Sequence, residues 1–207
     1  MLEIVLATTS IYKQQLFRRL NIPFRTMAAD ISETSQPGEN AEYVAKRLAQ
    51  EKAQKIANSA KDCLIIGADQ CAQCDEKLVH KPGSHHGALL DLQEYSGKQI
   101  VFYTSVCLIT PGGEIAQFTD KTSVHFRTLT HEEIENYLRI EQPYDCAGAF
   151  KAEGLGISLF SSFETTDPTA IIGLPLIQLS QALRDLGFDC YSASSGAISS
   201  SSNSSES

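Results

Sequence analysis

The chain has 207 residues, 42% of them apolar, and 25 acidic against 17 basic side chains give it a net charge of −8. That is the size of one ordinary domain, able to bury a core without disulfide or metal staples, and an acidic chain without a Lys/Arg cluster excludes a nucleic-acid surface, which needs a basic face to release counterions. No stretch approaches the eighteen or so uninterrupted apolar residues of a membrane span, and the short apolar run at residues 4–7 follows Glu3 without a basic leader, so a cytoplasmic protein with no membrane partner is expected.

Strand and helix signals alternate along most of the chain, which predicts an α/β domain. Residues 2–7 read as a buried strand, Thr8-Thr9-Ser10 as a turn with Ser10 as N-cap, and residues 11–20 as a helix. A second strand is expected at 24–28. The clearest helix is 40–59, where Ala41, Val44, Ala45, Leu48, Ala49 and Ile56 fall on one face. The continuous apolar run 63–68 predicts a central strand. A hairpin at 75–77, a helix at 86–93, and a long hairpin of 100–109 and 115–126 turning at Pro111-Gly112-Gly113 follow. Thr130 and Glu133 form a capping box for a helix at 130–138, and residues 171–186 predict a closing amphipathic helix interrupted early by Pro175. The domain is placed at 1–191. Residues 192–207 are nearly all Ser, Ala, Gly, Asn and Glu, too poor in large apolar side chains to offset the entropy of ordering, and a disordered tail is expected. The six cysteines carry no secretion context and are expected to be reduced; the lone C-x-x-C of Cys71 and Cys74 lacks the second pair a zinc site needs.

Four features carry chemistry. The turn Leu6-Ala7-Thr8-Thr9-Ser10 ahead of a helix, with Lys13 in its first turn, is an anion site by virtue of free N–H groups and the helix dipole, although an ordinary N-cap accounts for it equally and no G-x-x-x-x-G-K-[ST] loop is present. Lys52 lies about 40° around the helical wheel from Leu48, inside the apolar stripe, where it either snorkels to water or presents its ammonium to a cleft. Asp69-Gln70 follow the apolar strand directly, which puts a carboxylate at the carboxyl end of a buried strand, where ligand crevices of open α/β sheets lie; a turn-capping Asp is the alternative. Glu33, in a polar loop, and Lys81, just before Pro82, read singly as surface charges, but with Asp69, Lys52 and Lys13 they supply the hard oxygens and ammonium groups of metal-assisted phosphoryl chemistry.

The chain resembles the Maf family of nucleotide pyrophosphatases, in register from about residue 2 to about residue 186. The resemblance is carried by Leu6-Ala7-Thr8-Thr9-Ser10, Ile31-Ser32-Glu33-Thr34, Ala49-Gln50-Glu51-Lys52-Ala53, Gly67-Ala68-Asp69-Gln70, Lys81-Pro82, Cys146-Ala147-Gly148-Ala149-Phe150, Glu153-Gly154 and Gly173-Leu174-Pro175. It implies a mixed twisted sheet in two lobes around a central cleft, similar to the inosine triphosphate pyrophosphatases, in a homodimer. By position, Asp69 resembles the family's proton acceptor for the attacking water and, with Glu33, its metal ligands; Lys52 and Lys81 resemble its phosphate-binding lysines. The implied cofactor is a divalent cation such as Mg, Mn or Co, and the implied partner a small nucleotide. Thr8, Ser10 and Lys13 fall on the phosphate side.

The chain departs from the family pattern in having Ile11, Tyr12, Lys13 and Gln14 where Pro, any residue, Arg, Arg is usual, and Ser32 where Asp usually precedes Glu33. A lysine cannot reproduce the planar two-point grip of an arginine on phosphate. Gln70, Tyr12 and Glu153 resemble the subfamily acting on 7-methyl-GTP, whose cationic base suits an aromatic face and a carboxylate that accepts from guanine N1–H and its amino group. The competing expectations are a pyrophosphatase on dTTP, UTP or modified pyrimidine nucleotides, and a nucleotide-binding regulator of cell division with little turnover.

Overall fold

The computed structural model describes residues 2–191; the Ser-rich segment, residues 192–207, lies outside the described residues. In chain order the elements are β1 (Glu3–Ala7), α1 (Ile11–Arg18), β2 (Arg25–Met27), α2 (Ala41–Ala57), β3 (Cys63–Cys74), β4 (Lys77–Val79), α3 (His85–Tyr95), β5 (Gln99–Ile109), β6 (Ile115–Phe126), α4 (His131–Glu141), β7 (Phe160–Glu164) and α5 (Leu176–Asp185). Side chains cap the helices where the sequence offers them. Ser10 accepts from the Lys13 N–H, Asn40 from Tyr43, Ser84 from Gly87, and Thr130 and Glu133 make the reciprocal capping box. Among the described residues no helix is long and apolar enough to cross a membrane.

One sheet of seven strands runs in the order β2-β1-β3-β5-β6-β7, with β4 added to the far end of β3. The β1 pairs with β2 and β3 are parallel and the rest antiparallel, so the sheet is mixed as expected. Alternate residues of the β1 and β3 strands face opposite ways. Ile4, Leu6, Leu64, Ile66 and Ala68 pack with Leu16, Phe17, Leu179 and Leu183 of α1 and α5. Val5, Ala7, Cys63 and Ile65 pack with Ala49, Ala53 and Ile56 of α2. A third core joins the far ends of β3 and β5 to α3 and α4 around Phe102, Phe126, Tyr137 and Phe150. The first two cores form one lobe and the third core the other.

Two expectations are corrected. The strand expected at 63–68 runs on to Cys74, because β5 pairs with it antiparallel from Ile65 to Cys74; Asp69 therefore sits within a strand and not at its end. The closing helix starts at Leu176 and not at 171. Residues Ala170–Ile172 form a separate single turn, Gly173 at φ 130° breaks the helical path, and Pro175 stands just ahead of the new start. The hairpin expected at 75–77 joins β3 to the short β4, whereas the edge strand β7 carried too little alternation to be seen. All six cysteines are free. Cys71 and Cys74, three apart on β3, point to opposite faces of the sheet and cannot share a metal, and burial pushes the Cys71 thiol up to about 11.

Candidate active site

The cleft between the lobes follows from a gap in the sheet. On its β5 side β3 is paired without interruption, but on the other side β1 covers only Cys63 to Gly67 and β4 only Ala72 to Cys74. Between them, residues 68–71 have no neighbouring strand, and Asp69 lies there. Two chain segments peel away from the sheet at this gap. One is Thr8-Thr9-Ser10 leading from β1 into α1, and the other is His80-Lys81 leaving β4. A strand reaching the gap from each direction thus delivers the hydroxyl loop to one side of Asp69 and a lysine to the other.

Asp69 shares a sheet face with Gly67, against α2. There α2 comes so close that a Cβ on Gly67 would stand 2.2 Å from the Ala49 carbonyl oxygen and 2.6 Å from the Ala53 nitrogen, an approach open only to glycine. This contact seats Lys52 over Asp69. The Lys52 Nζ lies 2.6 Å from Asp69 Oδ1 and 2.6 Å from Glu33 Oε1, and Lys52 is 9% exposed, so it does not snorkel to water. Burial pulls its pKa down, but the Asp69 and Glu33 carboxylates outweigh burial and hold it above the ordinary lysine value. Glu33 is held below the ordinary carboxylate range: partial burial would raise it, and the bond to Lys52 with the charges of Lys52, Lys13 and Lys81 prevails.

The cleft has a volume of roughly 900 Å³, and all ten residues proposed from the sequence line it: Thr8, Ser10, Tyr12, Lys13, Glu33, Lys52, Asp69, Gln70, Lys81 and Glu153. They are not equivalent. Thr8 Oγ1 accepts from the Ser10 N–H at 3.0 Å and Ser10 Oγ from the Lys13 N–H at 3.4 Å, which leaves each hydroxyl proton available to an anion. Lys13 is half-buried and its pKa is lowered, chiefly by desolvation, with Asp69 opposing and Lys52 adding to the fall. Neither Lys13 nor Lys81 forms an ion pair among the described residues, so both ammonium groups are uncommitted. Lys81 is held from its flanks, where the Gly83 N–H donates to Tyr144 O at 2.9 Å and the Gly148 N–H to His80 O at 3.4 Å.

Gln70 lines the cleft with its side chain engaged by protein groups. Its amide nitrogen donates to Thr104 Oγ1 at 2.9 Å, Ala170 O at 2.9 Å and Ile171 O at 3.0 Å, fixing the turn that leads to Gly173. A Cβ at Gly173 would meet Lys13 Cγ at 3.3 Å and Cε at 3.4 Å, so this turn is the surface on which the Lys13 stem rests. Gly173→Ala is therefore expected to cost about 1–3 kcal/mol of stability because alanine is strained at this φ. Thermal melts check this, and an unchanged melting temperature would show that the turn accepts a side chain.

Adjacent residues of α1 part company at this point, since about 100° of helix rotation separates them. The charges acting on Lys13 are Asp69, Lys52, Glu33 and Lys81. Those acting on Tyr12 are Cys146, Asp145, Lys151 and Glu153; desolvation, with Cys146, Asp145 and Glu153 adding to it and Lys151 opposing, raises the Tyr12 pKa. The cleft thus has a cationic end with two carboxylates and an aromatic end rimmed by acids. Asp145 and Lys151 escaped the sequence reading of the site, because nothing local ties them to Tyr12, which lies more than 100 residues away.

Glu33 and Asp69 are the carboxylates available to a divalent cation. Each gives one oxygen to Lys52, and the second oxygen of each has no protein hydrogen bond among the described residues. Among the described residues no group of three or more His, Cys, Asp or Glu side chains forms a metal cage. Two hard oxygens fit a small divalent ion that takes its remaining ligands from water and substrate phosphates, and do not fit an ion held by protein alone.

The family model described as Maf-like protein matches residues 3–186. A 7-methyl-GTP pyrophosphatase of Xanthomonas axonopodis pv. citri is 44% identical over 185 residues, 89% of this chain and 97% of that protein. The protein of the same name from Nitrosococcus oceani is 42% identical over 186 residues, 89% of this chain and 94% of that one. Among solved structures, a HAM1 protein from Coxiella burnetii superposes with a TM-score of 0.54 at 14% identity, covering 89% of this chain and all of that one. The Ham1 protein of Staphylococcus aureus gives 0.51 at 14% identity, covering 90% and 100%. At such identity the likeness establishes a shared fold.

Proposed function

The chain belongs to the Maf family, and from that premise we propose that it hydrolyses 7-methyl-GTP, or a closely related nucleotide with a cationic base, to the monophosphate and pyrophosphate. The observation that carries this reading is the division of charge within one cleft. Lys13, Lys52 and Lys81 gather at one end, and Tyr12 with Asp145 and Glu153 at the other, where Lys151 is paired with Glu141. A nucleotide with a positive base and a polyanionic tail matches both ends in one orientation; an unmethylated pyrimidine nucleotide matches only one.

In this orientation the triphosphate lies along the hydroxyls of Thr8 and Ser10 and the three ammonium groups. Asp69, through the oxygen not held by Lys52, receives a proton from a water molecule. That water's oxygen forms a bond to the α-phosphorus as the bond from the α-phosphorus to the bridging oxygen breaks, and pyrophosphate departs. Lys52 orients Asp69, while Lys13 and Lys81 stabilise the charge that moves onto the departing group. Glu33, together with Asp69, would hold a divalent cation, which would supply further charge neutralisation and acidify water. Tyr12 stacks on the base, and Glu153 accepts from guanine N–H groups.

The test is a panel of 7-methyl-GTP, GTP, dTTP and UTP with Mg, Mn or Co and pyrophosphate detection. Tyr12→Ala is expected to lower kcat/KM for 7-methyl-GTP by about tenfold, a stacking-sized loss, with a smaller loss on GTP. Glu153→Gln erodes guanine preference in parallel, since an amide offers only one acceptor. Faster hydrolysis of dTTP or UTP by the unaltered protein would overturn the substrate assignment.

A further inference from the structure

Glu153 lies on an exposed stretch without regular pairing, yet base reading requires its carboxylate to be held in place. The segment that carries it is gripped from α4. Tyr137 and Glu141, four apart and so on one face of the last two turns, reach either end of residues 151–155. The Tyr137 hydroxyl accepts from the Lys151 N–H at 3.3 Å. Glu141 makes three contacts: Oε2 accepts from the Leu155 N–H at 2.8 Å, Oε1 lies 3.5 Å from Lys151 Nζ, and its backbone carbonyl accepts from the same ammonium at 3.2 Å. The Glu141 and Lys151 side chains are 18% and 23% exposed, so the pair is shielded and its geometry well defined. Gly154 completes the fit, because a Cβ there would stand 2.7 Å from Glu141 Oε2. Residue 153 is thus the middle of a five-residue span fastened at both ends.

We propose that Glu141 is a specificity-positioning residue: with Tyr137 it clamps residues 151–155 so that Glu153 stands beside Tyr12 at the base end of the cleft. Glu141 touches no nucleotide and acts only through Glu153. The inference rests on the substrate reading above for its consequence, though not for its geometry. A carboxylate suits the task because one side chain must accept a backbone N–H and neutralise an ammonium at once, and charge-assisted bonds are the stronger ones.

The test uses the full chain and the variants Glu141→Ala, Glu141→Gln, Glu153→Ala and the Glu141→Ala, Glu153→Ala double variant. Glu141→Ala is expected to lower the ratio of kcat/KM for 7-methyl-GTP to that for UTP by about tenfold, through KM, with kcat on both within about twofold. Glu141→Gln keeps an acceptor for the Leu155 N–H and should recover much of the ratio. In the double variant the loss should equal that of Glu153→Ala alone, since both changes act at one point. Losses that add, or an equal loss on both nucleotides with a lower melting temperature, overturn the proposal. Hydrogen exchange at the Leu155 amide reads the clamp without any substrate and should accelerate in Glu141→Ala; an unchanged rate also overturns it. A wild type with no base preference would sink the substrate reading alone, and the exchange rate would still decide the clamp. If Glu141→Ala does not fold, Gly154→Ala, which pushes against Oε2, serves in the same comparisons.

Discussion

Asp69→Asn is expected to reduce kcat by about a thousandfold, within the range attributed to a positioned general base, while nucleotide affinity and melting temperature change little. The substitution is close to isosteric at a position 7% exposed. The asparagine oxygen can still accept from Lys52, and Lys52 keeps Glu33 as a counter-charge, so neither packing nor the buried ammonium is abandoned. What disappears is the group that takes the proton from water. Steady-state pyrophosphate release, calorimetric binding of nucleotide and thermal melts measure the three quantities separately. A variant with near-native kcat would remove Asp69 from the proton path and leave it a structural partner of Lys52.

Lys52→Met is expected to lower kcat/KM by a similar factor but, unlike the first change, to lower stability as well. Methionine fills the space of the stem and removes the charge, which leaves two carboxylates in a cleft meant for a polyanion. The Lys52 and Asp69 side chains are 11% and 10% exposed, and removing one partner of a buried pair typically costs about 3 kcal/mol. Glu33, at 62%, contributes little after solvent screening. The pH dependence has a definite sign. The folded-state pKa of Lys52 is raised, so its contribution is fully present below the ordinary lysine value of about 10.4 and is lost as pH rises through the higher folded value. Glu33 is depressed, so its small share is present above about 4.3 and fades as pH falls through the lower folded value. The difference in melting temperature between wild type and Lys52→Met should accordingly stay flat from pH 6 to pH 9. A difference that vanished in that window would show that the lysine is not held as an ion pair.

Local pattern was enough for those parts of the molecule that depend on near neighbours. The Ser10 cap, the capping box at Thr130 and the 99–126 hairpin follow from residues within a few positions of each other. The wheel of α2 was sufficient to single out Lys52 as a charge inside an apolar stripe, although not to choose between water and cleft; the choice was made by Gly67, which lets the helix approach the strand. What could not be read depends on distant partners. Residues 69–74 carry Gln70 and Gln73 and lack a run of β-branched side chains, and they are a strand only because β5 lies along them. The hydrogen bonds of Gln70 could not be read for the same reason, its three acceptors lying 34 to 101 residues away. Family resemblance supplied what local pattern lacked by bringing separated motifs together, but it could not say what each side chain touches.

The divergence of Tyr12 and Lys13 on the first turn of α1 bears on how such a protein changes over evolutionary time. The hydrolytic end of the cleft is assembled from segments leaving the sheet at the gap beside β3, and the base end from Tyr12 together with residues 145–153. Apart from α1 the two ends meet only where the Gly148 N–H donates to His80 O beside Lys81. Substitutions in the 145–153 stretch other than Gly148 therefore leave Asp69 and Lys52 untouched, and on the function proposed above nucleotide choice can drift among descendants while the bond they break stays the same.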